Sequence, residues 1–192
     1  MPLENQQRNI EAGRDNIGGS SNTTVNHHYN LDAHHTATSP IPLLMEKLAA
    51  EISANSSRAD FVDSLQFYIE KYAPDGVIGL EAKLTHAGRA SEVSLAMRKK
   101  ELFSRMLVKY QMFESAQKIL AYLLSKLESD FNAHILPSIA DKNRQELDAE
   151  FQKYLVTPCA NEIKEGVFNL DFVVAAGMVY WLAEQCYIRW HK

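Results

Sequence analysis

Asp75 and the string Glu81-Ala82-Lys83 set two carboxylates and a lysine in the loose pattern of a metal-dependent nuclease core. That chemistry needs the Glu and Lys on a strand, where residues two apart share a face. Here Leu80 and Leu84 flank the string at helical spacing, so Glu81 and Lys83 diverge by about 200° around a 3.6-residue helix. Cys159 stands where the first turn of a helix would favour thiolate, but no His lies near it in sequence, and a packed cysteine is expected. His27-His28 and His34-His35 carry four of the seven histidines. Adjacent residues in an extended chain point to opposite faces, and with Asp32 alone nearby no ligand set is complete. Arg98-Lys99-Lys100 and Arg105 form a small basic patch interrupted by Glu92 and Glu101, the pattern of a solvated helix face. No phosphate-cradling glycine loop, zinc-helix motif or nucleophile elbow is present. No catalytic residue, cofactor or metal is therefore assigned. The residue types that remain are those of binding: Trp181, Tyr187, Ile188, Arg189 and Trp190 crowd the last stretch of the chain. Chain ends are normally polar and frayed, so these aromatics either pack on the body or await a partner.

The elements that must position them are helical. The chain has 192 residues, 46% hydrophobic, and a formal charge of −4, which argues against a polycation working on nucleic acid. Two cysteines exclude a disulfide scaffold and fit a reducing compartment. Residues 1–40 differ from 41–192: ten of the first 40 are hydrophobic, against about half of the remainder. An arm this polar cannot fold alone. Its sparse apolar positions, Ile10, Ile17 and Val25, suit a short strand that orders on self-association. The first 30 residues hold no apolar run that would make a secretory leader. The most apolar stretch, Val167 to Ala183, is shorter than a bilayer span and contains Asn169 and Asp171. A cytoplasmic protein without a membrane helix is expected.

From residue 41 apolar residues recur every three or four positions. Leu44, Leu48 and Ile52 mark one helix. Ser57-Arg58-Ala59-Asp60 reads as a capping box before a face of Phe61, Leu65, Tyr68, Ile69 and Tyr72, which Pro74 ends. One stripe from Ser91 to about Leu127 predicts a helix of some 37 residues, about 55 Å long. Pro137 should break or kink the next helix, and Thr157-Pro158 reads as the start of another. The last helix, about Leu170 to Ile188, is apolar nearly all round and should sit centrally. The expected fold is all-α: a multi-helix bundle around a long helix and a buried C-terminal helix, preceded by the arm.

Gly177-Met178-Val179-Tyr180-Trp181-Leu182 running into Cys186-Tyr187-Ile188-Arg189-Trp190 resembles the closing signature of the C-terminal domains of bacterial ABC-three-component systems, the Lamassu-type conflict systems built on an SMC-like ATPase. Gly79-Leu80-Glu81-Ala82-Lys83-Leu84, Lys100-Glu101-Leu102-Phe103 and Phe131…Ile135-Leu136-Pro137 look like further elements of that family. Tyr187 stands where the family often has His. The leader around Glu11 to Ile17 is similar to short β-forming leaders of bacterial conflict proteins. The resemblance implies a non-enzymatic adaptor in antiphage or anti-plasmid defence, linking an effector to an SMC-like ABC ATPase and a small middle component. Nucleic acid would then be met only indirectly. Two alternatives follow from the residues themselves: a metal-dependent nuclease through Asp75, Glu81 and Lys83, and a helical nucleic-acid binder through Arg98, Lys99 and Arg105.

Overall fold

The computed structural model describes residues 39–57, 60–72, 76–163, 167–168 and 170–190. The chain separates into Met1–Ala37 and Thr38–Lys192, and all that follows concerns the second unit. Ile10, Ile17, Val25 and the paired histidines lie outside the described residues, as does Asp75.

The described residues are all-α. They form α1 (Ile41–Ser53), α2 (Asp63–Ile69), α3 (Leu80–His86), α4 (Val93–Tyr110), α5 (Glu114–Asp130), α6 (Arg144–Glu150), α7 (Thr157–Glu162) and α8 (Phe172–Glu184), with short 3-10 and π segments between some of them. The hydrophobic run of α8 leaves it no polar face, and all nine residues from Ala175 to Ala183 are buried. Asp171 starts this helix by accepting the N–H groups of Val173 and Val174 at 2.9 and 2.8 Å, which satisfies two of its unpaired donors. α8 runs antiparallel to α4. Tyr110 at the end of α4 meets Phe168 edge-on ahead of α8, while Lys100 meets Glu184 at the far end of α8. Between them Gly177 lets the backbones touch: a Cβ there would overlap the Lys99 carbonyl and come within 3.3 Å of Phe103 Cβ.

The single 37-residue helix expected from the stripe is two helices. α4 stops at Tyr110, and Phe113 turns extended (φ −103°, ψ 123°) before α5. The cause is tertiary capping. Glu51 of α1 accepts the N–H and Oγ–H of Ser115 at 3.1 and 2.6 Å, placing a carboxylate at the positive end of α5. Buried Gln117 spans the break, donating to the Gln111 carbonyl at 2.5 Å and accepting from Val62 N–H at 2.6 Å.

Three local signals also resolve differently. α2 begins at Asp63, behind Val62, whose side chain makes no cap, so the Ser57 capping box does not start it. The capping box that does form is Asn143 with Glu146 at the head of α6. Tyr72 lies beyond the end of α2 and is exposed instead of sharing the buried face of Leu65 and Tyr68. Thr157 is not an N-cap, because the chain is already helical on both sides of it. There, and ahead of Pro137, a π turn precedes the proline: Phe151–Val156 and Phe131–Ile135. A proline inside a helix lacks an N–H and collides with the carbonyl four residues back; widening the preceding turn removes the collision and lets the rod continue.

Candidate docking site at the C-terminal tail

α8 ends in a turn that folds the chain back on itself. Cys186 takes the left-handed conformation (φ 71°), and the N–H groups of Cys186 and Tyr187 bond the Ala183 and Leu182 carbonyls at 3.1 and 2.9 Å. This is the glycine-type helix stop carried by a cysteine. The tail that follows is tied down at several points. Lys83 of α3, 1% exposed, donates from Nζ to the Ile188 carbonyl at 2.9 Å. Tyr72 N–H bonds the Gln185 carbonyl at 3.0 Å. The Tyr187 hydroxyl lies on the carbonyls of Phe67 and Glu70, the latter at 3.0 Å.

Trp190 closes the tail. It is 4% exposed, with ring centroids of Phe131, Tyr180 and Phe151 at 5.3, 5.7 and 6.0 Å. Trp181 is likewise buried, edge-on to Phe103 at 5.5 Å. Of the five tail residues singled out by the sequence, Trp181, Ile188 and Trp190 are thus packed within the chain, Tyr187 is half-buried, and Arg189 is exposed. Packing is the arm of the sequence reading that these two tryptophans follow.

Tyr187 is the centre of an aromatic cluster that reaches the surface. Tyr68, Phe67 and Tyr72 lie around it at 5.0, 5.2 and 6.3 Å. Phe67 and Tyr72 are 54% and 58% exposed. Beside them is a groove of about 310 Å³ walled by Tyr72, Asn132, Leu136, Cys186, Tyr187, Ile188 and Arg189. Burial pushes the Tyr187 phenol up to about 12, helped by Glu128 and Glu70, and burial raises Tyr68 as well. Both phenols stay protonated and donate, Tyr68 to Glu128 at 2.8 Å. Burial raises the Glu128 carboxyl, and the Tyr68 hydrogen bond opposes it. Phe67 and Tyr72 went unrecognised in the sequence because the helical stripe assigned Tyr72 to the core and passed over Phe67; an aromatic standing off the stripe was the available signal.

The residues whose types suit chemistry are dispersed. Glu81 is exposed and Lys83 buried on one short helix, so the two do not converge. Burial drives the Cys159 thiol up to about 12, far from thiolate at neutral pH. Lys100 is committed to Glu184 at 3.5 Å and Arg105 to Glu101 at 3.1 Å. Burial works against the Glu184 carboxylate, but the Leu80 N–H at 3.0 Å and the Lys100 and Lys71 cations hold it below the usual range. Among the described residues no group of His, Cys, Asp and Glu could hold a metal ion, and no helix is long and apolar enough to cross a membrane.

A family model, C-terminal domain 9 of the ABC-three component (ABC-3C) systems, matches residues 79–190. The chain belongs to this family. No curated protein and no solved structure matches the chain. The matched span takes in the whole α4–α8 pairing, Lys83, the turn at Cys186 and Trp190. Membership makes the protein a component of an ABC-three component system, a defence or conflict system with further components. In this member of the C-terminal domain 9 family, the strings that carried the resemblance have structural duties. Gly79 adopts φ 87° so that α3 can begin against Glu184, Lys83 fastens the tail, and Gly177 admits α4.

Proposed function

We propose that the protein is a non-enzymatic adaptor of its ABC-three component system, working in the cytoplasm and joining an effector to an SMC-like ABC ATPase and a small middle component. Docking uses Phe67, Tyr72, Tyr187 and Arg189 around the tail groove. The observation that carries this reading is the division of labour in the tail. Lys83, Ile188 and Trp190 hold the tail from inside, leaving the half-exposed Tyr72 ring and Arg189 at the groove and Phe67 beside it against Tyr187. Aromatics and Arg on a rigid support are the composition of binding hot spots. Family membership supports the existence of partners. The arm contributes self-association through Ile10, Ile17 and Val25.

Removing the tail would confound docking with folding, because Trp190 is core. The discriminating experiment is therefore capture of the cognate ATPase and middle component by the full chain carrying Tyr72→Ala with Arg189→Glu. Retention should fall at least about tenfold, a loss of about 1.4 kcal/mol, with an unchanged circular dichroism spectrum. Undiminished capture would defeat the proposed surface.

A further inference from the structure

Two hexads of this chain echo one another. Phe131-Asn132-Ala133-His134-Ile135-Leu136 and Phe151-Gln152-Lys153-Tyr154-Leu155-Val156 share an order: Phe, two exposed residues, an aromatic ring, then two aliphatics. Each contains a π turn, and after each the closing N–H reaches five residues back: Leu136 to the Phe131 carbonyl, Thr157 to the Gln152 carbonyl. In each case the next residue is proline, Pro137 or Pro158. The prolines remove the α-helical alternative. The two turns are also paired in space. His134 and Tyr154, which hold the same place in the two hexads, stack at 4.3 Å with planes 14° apart. Phe131 and Phe151, the matched first residues, both lie against Trp190, at 5.3 and 6.0 Å.

We propose that Trp190 is a register key: seated between the matched phenylalanines it holds both π turns together, and withdrawing the tail opens both at once. π turns are short and rare, and they persist where surrounding structure fixes them. Trp190 supplies that fixing to both turns from one side chain, and Lys83 and Tyr187 set how deep it sits. The groove is bounded by Asn132 and Leu136 from the first turn and by Tyr187 to Arg189 from the tail. A ligand seated there bears on the tail and on the first turn. The two rods it controls are not idle. α6, directly before the second turn, carries Asp148, which pairs with the buried Arg89 guanidinium ahead of α4. Opening the turn loosens that tie, so motion of the tail is passed to the α4 end of the fold. The inference concerns the isolated chain and stands or falls separately from docking.

Residue-resolved amide hydrogen exchange on the full chain tests it, comparing wild type with Trp190→Phe and Trp190→Ala. The Leu136 and Thr157 amides should both exchange about tenfold faster or more in Trp190→Ala, and less so in Trp190→Phe. Amides in the middle of α5, at Leu120 and Leu124, should change by less than about twofold. Adding Pro158→Ala to Trp190→Ala restores an N–H at 158 and with it the α register. It should return protection to Thr157 and leave Leu136 fast. Acceleration at one turn only, acceleration shared equally by α5, or none at all would overturn the proposal. Should Trp190→Ala fail to fold, Trp190→Phe carries the same comparison.

Discussion

Gly177 and Lys83 show how much a single position can decide in this fold. At Gly177 the neighbour is backbone, the Lys99 carbonyl, which cannot swing aside as a side chain would. Gly177→Ala should therefore cost at least about 1–3 kcal/mol, the range for overpacking, seen as a lower urea midpoint with an unchanged slope. Lys83→Met keeps the apolar stem and removes the donor to the Ile188 carbonyl; leaving that acceptor unpaired should cost about 1–3 kcal/mol. Cys186 sits at φ 71°, where an L-residue is penalised by about 1–2 kcal/mol. Cys186→Gly should stay within about 1 kcal/mol of wild type, trading that penalty for a small buried group, whereas Cys186→Val should unfold earlier because β-branching is worst there. Glu128 gives a pH signature. Its folded carboxyl titrates above the usual range because it is buried, so the unprotonated form is disfavoured by folding. Stability tied to it is present below the unfolded value and is lost as pH rises through the folded value. Glu128→Gln should flatten the wild-type decline on the side above the ordinary carboxylate range in thermal melts. Glu184, held low by Leu80 N–H and two lysines, works oppositely: its contribution is present above the unfolded value and fades as pH falls.

Among the elements, helices were plain in the sequence and their ends were not. The apolar period marked α1, α4, α5 and α8, and the all-round character of α8 foretold its central place. The split between α4 and α5 left no local mark, since neither Gly nor Pro occurs at residues 111–113. It is imposed by Glu51 and Gln117, residues that reach the break from 64 positions away and from the next helix. Glu51→Ala should accordingly cost about 1 kcal/mol, as for a lost helix cap, measured by denaturant unfolding. Pro137 announced a disturbance correctly. Thr157-Pro158 does open α7, as a proline after a polar residue suggests, but Thr157 is already helical and no N-cap, because the chain enters in π register, which is invisible to a 3.6-residue period.

For the molecule as a whole, the family could be read from a few strings near the C-terminus, and the match over residues 79–190 agrees with where they lie. The docking surface was less legible. Sequence marks aromatic residues but not which of their faces meets water: Trp190 is sealed among three rings, while Tyr72, assigned to the core, stands out. At this scale the arm makes its own prediction. Full-length protein carrying Ile10→Asp, Ile17→Asp and Val25→Asp should sediment at a lower mass than wild type if those residues drive self-association, with equal masses counting against it.

The placement of the two indoles has a practical corollary. Trp181 and Trp190 are the chain's two tryptophans, and both are shielded from water, one under α4 and the other on the tail. Excited selectively, they report on different halves of the bundle. With Trp181→Phe in place, the emission of the protein becomes a direct optical gauge of whether the tail is home, its colour moving toward red only when Trp190 meets solvent.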